Sequence, residues 1–187
     1  SCARCSTRPD SVSASILKEL YESGITLVEL GIQSFSNTAL YKSRRGYTSE
    51  QALSGCHAVR EAGLELGIQL LPGMPGCSPE IFINDVHKAL ATGPTCLRFY
   101  PCLVPDGTVL ASWYREGRYT PWAEEVCIQT LSHALAACWK KNIPVIRLSV
   151  APESIFDSTV LAGPRHPALG SLIQAEALLC SVRTALL

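Results

Sequence analysis

The chain has 187 residues, of which 47% are hydrophobic, and its sixteen basic side chains balance sixteen acidic ones. This length predicts one domain that buries about 70% of the surface of its unfolded chain, and the balanced charge argues against polyanion binding through the overall field. A mean hydropathy of +0.18, no apolar run near the roughly 20 residues of a membrane span, and nine scattered cysteines favour a soluble, reduced, cytoplasmic protein.

The first part of the chain predicts a strand, a helix and a second strand. Residues 2–7 have the pattern of a short strand, and Asp10 is placed to cap a helix that runs to about Glu22. Gly24 closes this helix, and residues 26–33 form the second predicted strand. A polar stretch without clear periodicity follows this strand.

Part of the second strand is repeated later in the chain. The sequence Glu-Leu-Gly-Ile-Gln occurs at 29–33 and again at 65–69, so the two copies begin 36 residues apart (65 minus 29). This interval accommodates a strand, a turn, a helix and a return, which is the size of one βα crossover unit. The repeat therefore predicts a parallel β/α sheet.

The repeated strands have two different faces, because alternate side chains of a strand point to opposite sides of the sheet. One face of the first copy is aliphatic and the other is polar, with Val28, Leu30 and Ile32 opposed to Glu29, Gly31 and Gln33. Buried parallel strands are usually apolar on both faces, so the polar face predicts a lined cavity, as at the carboxyl end of a barrel. On this face we expect Glu65 and Arg98 to form a buried ion pair.

The remaining elements follow in chain order. Thr48 and Gln51 form a predicted capping box for a helix that ends at Gly63, and a Pro- and Gly-rich loop over 72–76 follows the repeated strand. The later predicted elements are a helix from Ser78 to before Gly93, a strand at 95–100, helices at 109–116 and 123–141, a strand at 143–150, and a helix from about Pro167.

Several short motifs, in this order, resemble those of the radical SAM superfamily, above all the catalytic subunit of Elongator and the oxygen-independent coproporphyrinogen III oxidases. They lie at 6–10, 31–35, 44–48, 69–76, 97–101 and 117–119. The resemblance implies an α/β fold: a portion of a partial (β/α)6 barrel with parallel strands over 1–108. It also implies a mostly helical extension over 109–187 that packs on the barrel.

The same resemblance implies S-adenosylmethionine and a [4Fe–4S] cluster as cofactors, and reductive cleavage of the former to a 5′-deoxyadenosyl radical. The three cluster cysteines of the family, spaced CxxxCxxC, do not occur in this sequence. Cys2 and Cys5 form only a CxxC, and on a strand they face opposite sides. We therefore expect a piece of a longer protein that lacks the cluster segment, binds no metal and no cofactor by itself, and is inactive alone.

The resemblance also implies a set of cofactor contacts. It places Gln33 against the ribose of S-adenosylmethionine and Arg45 against the methionyl carboxylate, which a guanidinium group can pair with bidentately. The neighbouring Arg44 is the alternative for this second role. Catalytic residues remain unknown.

Three further positions complete the implied cofactor site. Gln69 and Ser6 stand where the coproporphyrinogen oxidases carry aspartate and glutamate, and an amide or a hydroxyl group can still hydrogen-bond a ribose or an ammonium group. Leu71 is expected along the adenine.

Two functions follow from these patterns. The first is an oxidoreductase or transferase of the radical SAM type in the full-length protein, with an unknown substrate and with tRNA as a partner only through the family resemblance. The second is a non-catalytic β/α module for ligand binding or assembly. Neither involves a membrane, and the first strand is expected to be an exposed edge able to pair with another chain.

Overall fold

The computed structural model describes residues 3–150 and 159–185, and within these residues most strands belong to one parallel sheet. Its five strands are β1 (Ala3–Thr7), β2 (Ile25–Gln33), β3 (Glu65–Leu70), β4 (Cys96–Phe99) and β6 (Val145–Arg147), in the order β1-β2-β3-β4-β6. A short antiparallel ribbon pairs β5 (Val104–Pro105) with β7 (Val160–Ala162). The predicted α/β fold with parallel strands in chain order is confirmed.

Seven helices are described, and most begin at a serine or threonine cap. They are α1 (Ala14–Glu22), α2 (Asn37–Lys42), α3 (Ser49–Glu61), α4 (Pro79–Ala91), α5 (Val109–Arg115), α6 (Glu124–Lys140) and α7 (Leu169–Ala185). The predicted capping box is present: the Gln51 amide donates to Thr48 Oγ1 at 3.3 Å, and the Thr48 amide donates to Gln51 Oε1 at 2.9 Å. These two bonds satisfy donors that a helix start would otherwise leave unpaired.

Local predictions failed at three places. Asp10 does not cap α1, because its carboxylate lies in a 3-10 turn and pairs with Arg8 at 2.7 Å, and Ser13 caps the helix instead. The predicted polar stretch contains α2, which is too short for a periodic signal. The β5–β7 ribbon was not predicted, because it joins segments that are far apart in the sequence.

The aliphatic face of the sheet forms the core, as the strand pattern predicts. Val28, Leu30 and Ile32 of β2 are fully buried, and Leu66 and Ile68 of β3 lie beside them. Helices α1, α3 and α4 pack over this face, and α6 packs on α4 and α7. The opposite face of the sheet is left to the polar side chains.

The C-terminal part of the chain contributes to the sheet, since β6 pairs with β4. The division into 1–108 and 109–187 stays a prediction. Among the described residues, no helix is both long and apolar enough to cross a membrane.

Candidate functional site

An ion pair crosses the polar face of the sheet from β2 to β4. Arg98 Nε lies 2.9 Å from Glu29 Oε2, and Arg98 Nη1 donates to Glu29 Oε1 at 3.3 Å. Glu29 is almost fully buried and its partner keeps 15% of its side chain exposed. Gly67 of β3 lies between the two strands, and a Cβ there would meet Glu29 Cβ at 3.3 Å, so the glycine leaves room for the pair.

The predicted pairing of Arg98 with Glu65 is wrong. Glu65 is the first residue of β3 and is exposed, so its carboxylate stays in solvent. Arg98 forms its ion pair with the buried Glu29 instead. Ser6 of β1 also joins this group, because its hydroxyl donates to Glu29 Oε1 at 3.3 Å.

The two glutamines of the repeated strands meet on the same face. Gln69 Nε2 donates to Gln33 Oε1 at 3.4 Å, and Gln33 is 7% exposed. A Cβ at Gly31 would lie 2.8 Å from Gln33 Nε2, so the glycine leaves room for the amide to fold back along the strand. The Leu71 amide donates to the Gln33 carbonyl at 2.9 Å and ties the ends of β2 and β3 together.

Arg45 and Leu71 line a largely apolar cavity of about 330 Å³ beyond the carboxyl ends of these strands, together with Met74 and Trp113. Arg45 Nε is buried, and it has no hydrogen-bond partner anywhere in the described chain. Arg44 also borders the cavity, but its guanidinium lies over the Trp113 ring at 5.2 Å from the ring centroid. Of the two arginines, Arg45 therefore carries the buried donor that lacks a partner.

The predicted site residues thus fall into two adjoining groups. Ser6, Gln33 and Gln69 lie on the polar face, and Arg45 and Leu71 line the cavity. The glutamines do not line that cavity, and the hydrogen bond from Leu71 to Gln33 connects the two groups. Their shared contact with one ligand stays a prediction.

Two residues that the sequence reasoning missed hold the end of β2. Tyr47 donates from its hydroxyl to the carbonyls of Gly31 and Ile32, at 3.0 and 2.8 Å. Asp85 of α4 is fully buried and accepts hydrogen bonds from Ser34 Oγ at 2.5 Å and from the Phe35 amide at 2.9 Å.

The position of Asp85 was available as a signal in the sequence. It follows Phe82 by three residues and precedes Ala89 by four, so it lies on the buried stripe of α4. A carboxylate on such a stripe requires hydrogen-bond partners from another element.

Burial raises the pKa of Asp85 to about 6, against the opposing effect of the hydrogen bonds from Ser34 and Phe35 and of the charge on Lys88. Lys88 Nζ donates to the Phe35 carbonyl at 3.2 Å and does not form an ion pair with Asp85 within the described residues. The thiol of Cys77, whose own pKa is raised to about 12 by burial, is a further titratable group near this carboxyl.

This pKa predicts a pH-dependent contribution of Asp85 to stability. The folded carboxyl titrates near 6 and the unfolded one near 3.8, so its stabilising contribution is complete below about pH 4 and is lost as the pH rises through 6. Between pH 4.5 and 7.5 we expect wild type to lose about 2 kcal/mol of unfolding free energy relative to Asp85→Asn. Urea unfolding of both proteins across this range measures the difference.

Glu80→Gln is the matched control, because Glu80 lies on the same helix but is exposed, and its hydrogen bond from Ser78 lowers its pKa. Its difference from wild type should stay nearly constant over this range, because the stabilising contribution of a carboxyl with a lowered pKa is lost only below about pH 4.5. A pH-independent difference between wild type and Asp85→Asn would contradict the prediction.

The described residues offer no ligand set for an iron–sulfur cluster, since no three His, Cys, Asp or Glu side chains in 3–150 and 159–185 could hold one ion. Cys5 pairs with Val28 in the sheet register and packs against the core, and burial raises the pKa of its thiol. Cys2 lies outside the described residues. The donor set fits S-adenosylmethionine better: Arg45 lies over the Tyr47 ring beside an apolar cavity, and its buried Nε has no hydrogen-bond partner among the described residues.

A parallel β/α sheet with one helix-covered face, one polar face and a cavity at its carboxyl edge is typical of a β/α barrel-type protein. The comparison with protein families makes this class specific. Residues 2–89 match the model described as the Radical SAM superfamily, and residues 94–178 match the Radical_SAM C-terminal domain. The chain belongs to the radical SAM superfamily.

Curated relatives agree with the predicted resemblance to Elongator. The chain is 32% identical over 172 residues to a tRNA uridine(34) acetyltransferase of Methanocaldococcus infernus, which covers 89% of the chain and 31% of the relative. It is 28% identical over 133 residues to Elongator complex protein 3 of Mus musculus, with 70% and 24% covered. The chain therefore spans less than a third of these relatives.

Two solved structures share the fold. The archaeal Methanocaldococcus infernus Elp3 with an N-terminal deletion superposes with a TM-score of 0.83 at 27% identity, over 96% of this chain and 42% of that one. The coproporphyrinogen III oxidase HemN from Escherichia coli superposes with a TM-score of 0.61 at 16% identity, over 75% and 32%. The second likeness concerns the fold alone.

Proposed function

We propose that the full-length protein is a radical SAM enzyme and that this chain supplies part of its S-adenosylmethionine site. The observation that carries the proposal is the buried, unpaired Nε of Arg45 at the cavity that Leu71 also lines. A buried N–H donor without an acceptor is unfavourable by itself, and an anionic ligand group would supply the acceptor. The cofactor, with a [4Fe–4S] cluster held outside the described residues, supplies radical chemistry when bound.

Each residue has a distinct task in this proposal. Arg45 binds the methionyl carboxylate, and Leu71 packs along the adenine. Gln33 and Gln69 present their amides to the ribose hydroxyls, which fits their mutual contact on the polar face. The Ser6 hydroxyl donates to Glu29 and so keeps its oxygen lone pairs free to accept from the ammonium group.

The names of the relatives support tRNA as the substrate class of the full-length protein. We also propose that the full-length protein is cytoplasmic. We propose that residues 1–108 are the barrel portion and 109–187 the extension. The alternative, a non-catalytic ligand-binding or assembly module, is supported by the missing cluster ligands among the described residues. A CxxxCxxC motif encoded upstream of Ser1 distinguishes the enzyme from this module.

The decisive experiment is anaerobic reconstitution of the full-length protein with iron and sulfide. The wild type should bind S-adenosylmethionine in calorimetry and, after reduction, release 5′-deoxyadenosine and methionine. Gln33→Asn keeps a residue that tolerates the left-handed region but shortens the amide arm, and should weaken affinity about 3- to 10-fold. Gln129→Asn, an exposed change on α6, is the matched control and should leave affinity unchanged.

Two outcomes of this experiment would contradict the proposal. A fully reconstituted wild type that forms no 5′-deoxyadenosine would overturn the assignment as a radical SAM enzyme. Equal affinities of wild type and Gln33→Asn would remove Gln33 from the cofactor site.

A further inference from the structure

The end of β2 has an unusual backbone that needs support from elsewhere in the fold. Leu30 pairs with Ile68 but Gln33 pairs with Leu70, so β2 holds one more residue than β3 over this interval. Gln33 has a φ of 63°, and the Ser34 amide donates to the Ile32 carbonyl at 2.7 Å to close a tight turn around it. A residue other than glycine persists in this left-handed region only when its surroundings hold it there.

Asp85 provides that support from a distant element. Its two oxygens accept from Ser34 Oγ and from the Phe35 amide, the two residues that follow Gln33, across 50 or 51 positions of sequence. Ser34 Oγ in turn accepts from the Ser36 amide at 3.0 Å. These hydrogen bonds attach the segment that follows Gln33 to α4.

Hydrogen bonds, and not an ion pair, satisfy the Asp85 carboxylate. It is fully buried, and no cation forms an ion pair with it among the described side chains, since Lys88 donates to the Phe35 carbonyl instead. Burial of a carboxylate without a paired cation is unfavourable unless its oxygens accept hydrogen bonds. Within residues 3–150 and 159–185, the hydrogen-bond partners of its oxygens are the two residues that follow Gln33.

We propose that Asp85 is a positioning residue of the cofactor site, which holds the left-handed turn at Gln33 and so fixes the direction of the Gln33 amide. With the turn in place, this amide lies over Gly31 and contacts Gln69. Without it, β2 relaxes to extended backbone, Ser34 and Phe35 leave α4, and the amide is no longer held against its partner. The role of Asp85 in holding the turn follows from the geometry alone. The effect of Asp85 on cofactor binding rests in addition on the proposed function.

The first test examines the turn without any cofactor. Amide exchange is followed by mass spectrometry in the full-length protein, in peptides that contain Phe35 and Leu71, for wild type and Asp85→Asn. The isosteric amide leaves one of the two donors unpaired, so exchange at both positions should accelerate at least tenfold. The Leu97 amide, which donates to the Pro144 carbonyl in a remote part of the sheet, should be unchanged and serves as the internal reference.

Two further variants keep this test decisive. Ser34→Ala removes one donor and leaves the carboxylate intact, and should give a smaller acceleration confined to the same peptides. Glu80→Gln, at an exposed position of α4, should give none. If exchange at Phe35 is unchanged in Asp85→Asn, or if it accelerates equally at Leu97, Asp85 does not hold the turn at Gln33.

The second test asks whether Asp85 acts through Gln33. In the reconstituted full-length protein, Asp85→Asn should weaken S-adenosylmethionine binding about 3- to 10-fold, and the combination with Gln33→Asn should be no weaker than Gln33→Asn alone. A residue with a merely structural role would give additive losses, and additive losses would overturn the positioning role. No effect of Gln33→Asn on affinity would instead overturn the proposed function of Gln33, while the exchange result would still stand.

Discussion

Replacement of Arg98 by methionine should lower the free energy of unfolding by about 3–5 kcal/mol. The substitution leaves the Glu29 carboxylate buried on the polar face of the sheet without its cation, and an unpaired buried charge accounts for losses of this size. The Ser6 hydroxyl remains as a hydrogen-bond donor to Glu29, but a single neutral donor does not replace the ion pair with arginine. Urea unfolding followed by circular dichroism measures the loss.

Two variants separate the buried charge from a general effect of losing an arginine. Arg115→Met breaks the exposed pair of Arg115 with Asp106 and should have little effect on stability, because solvent screens this pair. The double variant Glu29→Gln, Arg98→Met removes both charges and should regain most of the stability lost in the single variant. If the double variant is as unstable as Arg98→Met, the loss comes from packing and not from the isolated carboxylate.

Arg45→Ala should weaken S-adenosylmethionine binding by the full-length protein about ten- to hundredfold. A hydrogen bond to a charged group contributes about 1.5–3 kcal/mol, and Arg45 brings a buried donor to the cavity that has no partner within the described chain. Calorimetry on reconstituted protein measures the affinity, after each variant has been checked for folding and cluster content.

Arg44→Ala is the matched control for this prediction, because the two arginines are adjacent and border the same cavity. Each guanidinium lies over an aromatic ring, that of Arg44 over Trp113 and that of Arg45 over Tyr47, but among the described residues only Arg45 of these two has a buried Nε without a hydrogen-bond partner. We expect a smaller loss of affinity for Arg44→Ala than for Arg45→Ala. If Arg45→Ala binds as tightly as wild type, Arg45 does not contact the methionyl carboxylate. If Arg44→Ala loses more affinity than Arg45→Ala, Arg44 makes this contact instead.

The candidate site could be predicted only in part. The contact between Gln33 and Gln69 follows from two identical strands placed side by side, and the family resemblance drew attention to both. The turn at Gln33 could not be foreseen, because it depends on an extra residue in β2 and on a carboxylate from α4. Asp85 was visible in the sequence as a charge on an apolar stripe, but its partners were not.

The sequence by itself determined the parallel sheet, its aliphatic and polar faces and the capping box at Thr48, because these depend on strand alternation and on contacts a few residues apart. Only the tertiary structure decided which carboxylate Arg98 pairs with and whether Asp10 caps a helix. In both cases several partners satisfy the same charge, and the choice depends on burial. Glu29 lies inside the sheet beside a glycine that leaves space, whereas Glu65 at the strand start remains in water.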